Sequence, residues 1–401
     1  MDTAAAHAIV QAHADYKDFK RRLIAIAQQE SPETELLEAE PKVLAFIRDW
    51  VAPQLPDAGF HEVTLDAMGN LIARAGARGP AQSLLFLCHA MNHHPETMPD
   101  PYSGAVVDGE PYGIRRECVW GRGLAEQKSS TAAALAACAL LRRARVALKG
   151  TLVLGVSTAG ECGRHDSIAH MVETAGLTAD AAIQCGATQN QVGLGNKGCF
   201  DFRITVKGSP SHVSMPWLGR NAIQGARKLM DILDTITIPE SENHPGLGRP
   251  TLTVHAVHSE PYDVRTVPGV CRLTVDRRLL PGQDPFQKFA ELAAQVPDEV
   301  DGYSVHKAMG NYQYPNEVSR EAEVVRAVAA AVQAVTGREA TYFYKNGALD
   351  AGYLNSKAKI PTVMFGSGEP RFAHTDQEMV SVLMAFEAMQ VYAMTALMLL
   401  A

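Results

Sequence analysis

No two cysteines stand at the CxxC spacing of a zinc ribbon or a dithiol redox site. The seven present, Cys88, Cys118, Cys138, Cys162, Cys185, Cys199 and Cys271, are odd in number and scattered. That pattern fits reduced thiols in a cytoplasmic protein better than a disulfide framework. Basic residues are in deficit: 37 Lys and Arg stand against 44 Asp and Glu, a net charge of −7, which argues against a nucleic-acid partner. The densest basic cluster, Arg142-Arg143-Ala144-Arg145, ends an alanine-rich helical segment, where cations suit the helix dipole. The N-terminal stretch MDTAAAHAIVQAHADYKDFKRRL carries charges throughout and has no apolar core of a secretion signal. No run reaches the roughly 20 apolar residues of a membrane span. The C-terminal MAFEAMQVYAMTALMLLA is interrupted by Glu387 and Gln390 and is expected to be a packed terminal helix. HExxH is absent, so metal ligands, if any, come from separate loops.

What is present fits a two-domain globular protein of 401 residues, 46% hydrophobic and 20% charged. Residues 4–30 are expected to form one helix. Ser31-Pro32-Glu33-Thr34 is expected to start another towards Trp50, with proline at its first position. Short strands are expected at Val63–Asp66 and Asn70–Ala73. Continuous apolar runs at Ser83–Cys88, Thr151–Ser157, Ala181–Gln184 and Pro361–Gly366 have the signature of strands buried on both faces. Helical segments lie between them, which predicts an α/β fold with its polar groups gathered past the strand ends. From Cys199 to Val305 the pattern alternates instead, at Phe200–Lys207, Thr251–His258 and Cys271–Arg277. This predicts a catalytic domain of residues 1–198 and 306–401 with an inserted α+β unit at 199–305.

Four groups follow strand ends. His89 ends the run LLFLC, Glu161 follows TLVLGVS, and His374 follows GSGEPRFA. Glu126 lies in Trp120-Gly121-Arg122-Gly123-Leu124-Ala125-Glu126-Gln127-Lys128, whose glycines permit a close backbone approach at a helix start. Mixed His and carboxylate donors suit zinc, manganese or cobalt. A glycine turn with a capping acid, among scattered polar loop residues, explains the same stretches without a metal.

The order and wording of these stretches resemble the metallopeptidase family of aminoacylase-1, carboxypeptidase G, acetylornithine deacetylase and succinyl-diaminopimelate desuccinylase. The resemblance covers nearly the whole chain. It runs through LIAIAQQESPETE, His89-Ala90-Met91, GRGLAEQKSS, Asn196-Lys197-Gly198, GSPSHVSMP with Gly219-Arg220-Asn221-Ala222-Ile223, Asp276-Arg277-Arg278, Gly347–Ala351 and Gly366-Ser367-Gly368 leading to His374. It implies a zinc-peptidase-like catalytic domain with a mixed sheet and an inserted lid that dimerises. It implies Glu126 as a bridging carboxylate, with Glu161 and His374 on one metal and His89 on the other. Glu161 is also a candidate catalytic group if the register shifts by one residue, with Cys162 then a ligand. His212 in the lid is the expected stabiliser of developing negative charge. Asn221 and Arg278 are the expected substrate carboxylate or oxyanion binders, with His93 a candidate pocket residue.

The departures carry the functional expectation. Glu126 stands where the family has Asp. Met91 replaces the Asp that orients the first His, so His89 is expected to lose that support. Gly160 falls at the general-base position, and Cys185-Gly186-Ala187-Thr188 lacks the acid of the second site. One divalent transition metal per chain is therefore expected. The expected reaction is hydrolysis of a small carboxylate-bearing C–N substrate, in which water activated on the metal displaces an amine. An outlying family member, a 5-nitroanthranilate aminohydrolase, suggests deamination of an electron-poor aminobenzoate to 5-nitrosalicylate and ammonia. The alternatives are an N-acyl or N-carbamoyl amino acid amidohydrolase or dipeptidase, and a non-catalytic relative acting as a binding protein. A homodimer or larger homo-oligomer is expected, with neither nucleic acid nor membrane as partner.

Overall fold

The computed structural model describes every residue except 78–80, 115, 161–162 and 263. The chain divides into two compact units, one of residues 1–195, 317–344 and 353–401, the other of 196–316 and 345–352. The second unit reaches Asn316 rather than Val305. Strand Tyr303–Gln313 pairs antiparallel with Gly198–Lys207 along its length and so belongs to the same sheet.

In the first unit, strands Thr151–Ser157, Ser83–His89, Ala181–Cys185 and Thr362–Phe365 lie side by side in parallel. Antiparallel Leu71–Gly76 and Glu62–Leu65 continue the sheet on one side, and Val192–Asn196 on the other, so the sheet is mixed. The four parallel strands are buried almost throughout, as continuous apolar runs require. Helix Ser129–Arg143 is small-residue-rich and nearly all buried, which lets it lie close against its neighbours. Helix Val382–Leu400 packs on it and on helix Glu323–Thr336. Phe86 contributes a fully buried ring tilted against Tyr392 at 5.3 Å, and the Tyr392 hydroxyl donates to the carbonyl of Phe365. Because the strands run parallel, their carboxyl ends collect at one edge, where βα turns carry polar groups.

Three local expectations are corrected. The 4–30 segment is two helices, Thr3–His13 and Tyr16–Ala27, because Asp15 breaks off to cap the second through the N–H groups of Lys17 and Asp18. Ser31-Pro32 starts no helix: Pro32 sits in a bridge with Asn92, and after a single 3-10 turn at Leu37–Ala39 the next α-helix begins at Pro41 behind an N-cap by Glu40. The terminal helix meets the length and composition of a membrane span despite Glu387, yet 67% of its most apolar window is buried within the protein.

The second unit is a five-stranded antiparallel sheet in the order Leu252–Glu260, Val270–Leu279, Gly198–Lys207, Tyr303–Gln313 and Glu299–Val300. Strand Gly198–Lys207 alternates buried and open positions, so one face carries Phe200, Phe202, Ile204 and Val206 into an apolar core. Helices Ala222–Thr235 and Pro285–Gln295 cover that face. Strand Leu252–Glu260 is an edge, with Val257 55% exposed.

Phe86→Ala removes a fully buried ring between sheet and helix. It is expected to lower stability by about 3–5 kcal/mol in denaturant unfolding of the first unit.

Candidate metal centre

His89 is the last residue of its strand. Its parallel register puts it beside Ser157, and the N–H of Ala90 donates to the Ser157 carbonyl at 2.8 Å. The ring Nδ1 lies 3.0 Å from the carbonyl oxygen of Met91. A carbonyl only accepts, so this contact places the proton on Nδ1 and turns the Nε2 lone pair outward. Nε2 faces Glu126 Oε1 at 3.8 Å. The orienting partner expected to be missing at position 91 is therefore supplied by its backbone. The Gln127 side-chain amide donates to the same carbonyl at 2.8 Å. The 89–93 loop is fixed from its other side as well. The Ser31 hydroxyl donates to Ala90 O, Asn92 N–H to Ser31 O, and Glu33 N–H to Asn92 O. Asn92 is fully buried in this clamp.

Glu126 lies in a turn, Leu124–Lys128, that runs directly into helix Ser129–Arg143. Two glycines set the turn. Gly123 has φ +84°, and a Cβ there would come within 2.8 Å of the Asn92 Cβ. A Cβ on Gly368, φ +103°, would collide with the backbone of Ala125. The Glu126 carbonyl accepts from Ala187 N–H at 2.9 Å, so the acid-free Cys185–Thr188 turn supports the bridge position through its backbone. Lys128 is buried, donates to Gln29 O, and sits 4.9 Å from the Tyr102 ring centre; burial pushes its ammonium down to about 7.

His374 has φ +63°, a left-handed backbone that is uncommon for a residue with a Cβ. Its Nε2 lies 3.8 Å from Glu126 Oε2. Its ring stacks on His93 with centroids 4.4 Å apart and planes 8° from parallel. His93 lies between Glu33 and Glu96, its Nδ1 3.8 Å from one carboxylate and its Nε2 3.5 Å from the other.

Two residues outside the expected set hold these loops together. Arg122 is buried, as is Glu378. Its guanidinium donates to Glu378 Oε2 and to Thr375 O, both at 3.0 Å, and to Pro95 O at 3.1 Å. Glu378 Oε1 accepts from Ala125 N–H at 3.0 Å. One ion pair thus ties the loops of His93, Glu126 and His374. The GRG wording marked Arg122 in the sequence; Glu378 carried no signal, since its partner is 256 residues away.

The structure brings together His89, Glu126, His374 and His93. Glu161 lies outside the described residues. His212, Asn221 and Arg278 belong to the second unit. There, His212 Nδ1 lies 2.7 Å from the Ser214 hydroxyl. The Asn221 side-chain oxygen caps helix Ala222–Thr235 by accepting from Ile223 N–H. Arg278 Nε donates to Asp276 at 2.8 Å.

Two imidazoles, each facing a different oxygen of one carboxylate that is only 10% exposed, have the chemistry of a bridged divalent-metal site. Among the described residues no three such groups converge on a single point. Donor chemistry of this kind, past the ends of parallel strands, can hold a divalent metal. Residues 91–398 match the model of peptidase family M20/M25/M40, and the chain belongs to that family, whose members hydrolyse C–N bonds with divalent metals. It is 25% identical over 392 residues to the uncharacterised Escherichia coli K12 protein YgeY, covering 91% of this chain and 89% of the relative. A succinyl-diaminopimelate desuccinylase of Cereibacter sphaeroides is 24% identical over 338 residues, 78% of this chain and 83% of that protein. The M20 metallo-carboxypeptidase Sso-CP2 of Sulfolobus solfataricus superposes with a TM-score of 0.75 at 18% identity, over 94% of this chain and 98% of that one.

Removing one partner of the buried ion pair leaves an uncompensated charge. Glu378→Ala is expected to cost about 3–5 kcal/mol in denaturant unfolding, and Arg122→Met with Glu378→Met together clearly less than the two single losses summed.

Proposed function

We propose that the chain hydrolyses the C–N bond of a small carboxylate-bearing substrate at the His89–Glu126–His374 centre. The observation that carries this reading is the placement of the two Glu126 oxygens, one towards each imidazole at 3.8 Å. Glu126 would hold the metal with His374 and Glu161, and His89 would face the same carboxylate from its other oxygen. One divalent ion per chain is the proposed content, zinc, manganese or cobalt, since the second position keeps only His89 and the shared bridge. A divalent ion supplies Lewis acidity there and brings the pKa of water to about 7.

The chain's own residues do the rest. The Met91 carbonyl keeps the His89 proton on Nδ1, and the Arg122–Glu378 pair keeps the three loops in register. Arg278 and Asn221 are the proposed carboxylate and oxyanion binders, and His212 the proposed stabiliser of developing negative charge. Arg278 is already oriented by Asp276, while Asn221 spends its oxygen on a helix cap, which leaves its amide donors for an anion. In the reaction a C–O bond to water forms, the C–N bond breaks, and the amine leaves with a proton from that water.

Within this reading, hydrolytic deamination of an electron-poor aminobenzoate, 5-nitroanthranilate to 5-nitrosalicylate and ammonia, is favoured by Gly160. That position carries no carboxylate to deliver a proton to a poor leaving amine, and a ring activated by a nitro group needs that help least. Amide hydrolysis of an N-acyl amino acid is the second reading, favoured by the similarity to succinyl-diaminopimelate desuccinylase. We also propose a homodimer through the inserted unit. Its support is the open edge strand Leu252–Glu260 and the exposed Trp217 and Leu218, 75% and 66% accessible.

Chelated protein reloaded with zinc, manganese or cobalt is expected to bind close to one ion per chain by elemental analysis. Two tightly held ions would overturn the single-metal proposal. Ammonia from aminobenzoates alone would support the deaminase reading, and turnover of N-acyl amino acids alone would replace it with the second. Glu126→Ala is expected to lower turnover at least about 10³-fold with the fold intact; unchanged turnover would overturn the site. Light scattering is expected to give a dimer or a multiple of it, and a monomer would remove the interface.

A further inference from the structure

The turn after strand Thr151–Ser157 is built to deliver backbone, with no side chain, against His89. Asn70, fully buried, accepts through its side-chain oxygen from Thr158 N–H at 2.7 Å and from the Thr158 hydroxyl at 3.0 Å. The Ser167 hydroxyl lies 2.7 Å from that of Thr158 and accepts from Ala159 N–H at 3.2 Å. The Ser157 hydroxyl donates to Ala159 O at 3.0 Å. Three consecutive residues are thus clamped, and Gly160 is the next. A Cβ built on Gly160 would have the His89 ring as its three nearest neighbours. Cγ and Cε1 would lie at 2.5 and 2.6 Å, with Nδ1 closer still. Separations under 3 Å are essentially never tolerated by a real Cβ, so one side must move. The clamp holds the turn. The ring is 9% exposed and tethered to Met91 O, so its movement would break that contact and turn Nε2 away from Glu126.

We propose that Gly160 is a positioning residue: its missing side chain is the slot that the His89 imidazole occupies, so residue 160 and the first metal-facing histidine exclude one another sterically. The absent carboxylate at this position and the present pose of His89 are then one feature. A base restored at 160 would displace His89 instead of completing the site. The role of His89 as a metal ligand rests on the proposed centre; the steric exclusion does not.

A double-mutant cycle on metal-free protein tests the exclusion by itself. Gly160 is not in the left-handed backbone region, so alanine there carries no φ penalty and stiffens the unfolded chain. Gly160→Ala is expected to lower the melting temperature by at least about 4 °C in the natural background. In the His89→Ala background it is expected to leave the melting temperature unchanged or raise it. Equal losses in both backgrounds would overturn the proposal. If Gly160→Ala alone fails to fold, folding of the double variant supports the exclusion, and failure of both overturns it. Competition with a chromophoric chelator gives the second readout. Gly160→Ala and Gly160→Glu are both expected to weaken metal affinity by about tenfold or more. Gly160→Glu with undiminished affinity would overturn the proposal. Natural protein that binds no metal would instead overturn the proposed centre and leave the stability cycle to stand.

Discussion

The buried ion pair of Arg122 with Glu378 is the constraint on which the centre depends. A guanidinium presents its donors in a rigid fork, and here its two terminal nitrogens bond a carboxylate and carbonyls from two loops distant in sequence. Burial makes the arrangement all-or-none: either charge without the other would be stranded in a medium that penalises it by several kcal/mol. The loops carrying His93, Glu126 and His374 therefore share one position. The left-handed backbone of His374 and the contact of Gly368 with Ala125 are sustained because that anchor over-determines the surrounding chain.

Around this anchor the candidate metal-facing side chains are oriented mainly by backbone. His89 points by way of the Met91 carbonyl, the Glu126 turn rests on Ala187 N–H, and the 89–93 loop is stitched to Ser31 and Glu33. Backbone partners do not depend on side-chain identity, so the pose of His89 and the position of Glu126 need no acid at position 91 or in the 185–188 turn. What the geometry does not tolerate is volume. The exclusion between Gly160 and His89 ties the pose of the His89 ring to an empty side-chain position.

Legibility followed the range of the forces. The four buried strands and the alternating strands of the second unit were evident because burial on two faces or one writes a local pattern. The position of His89 at a strand end was legible for the same reason. Of the two errors near the N-terminus, the break at Asp15 is a local cap within the chain, whereas at Ser31-Pro32-Glu33 tertiary bonds overrode a local signal: the stretch has the composition of a helix start, but its polar groups bond the 89–93 loop instead. The boundary of the second unit was missed because strand Tyr303–Gln313 is assigned by its partner, Gly198–Lys207, a hundred residues earlier.

By itself the sequence determined the α/β class, the buried strands, the family and the residue types available for a metal, because each is encoded in composition, periodicity or collinear wording. Only the tertiary structure decided that Met91 serves through its carbonyl, that Glu378 answers Arg122, that His93 stacks on His374, and that His89 fills the space above Gly160. Those are relations between side chains and backbone brought together by parallel strand register and loop closure, and no local stretch of chain contains both partners.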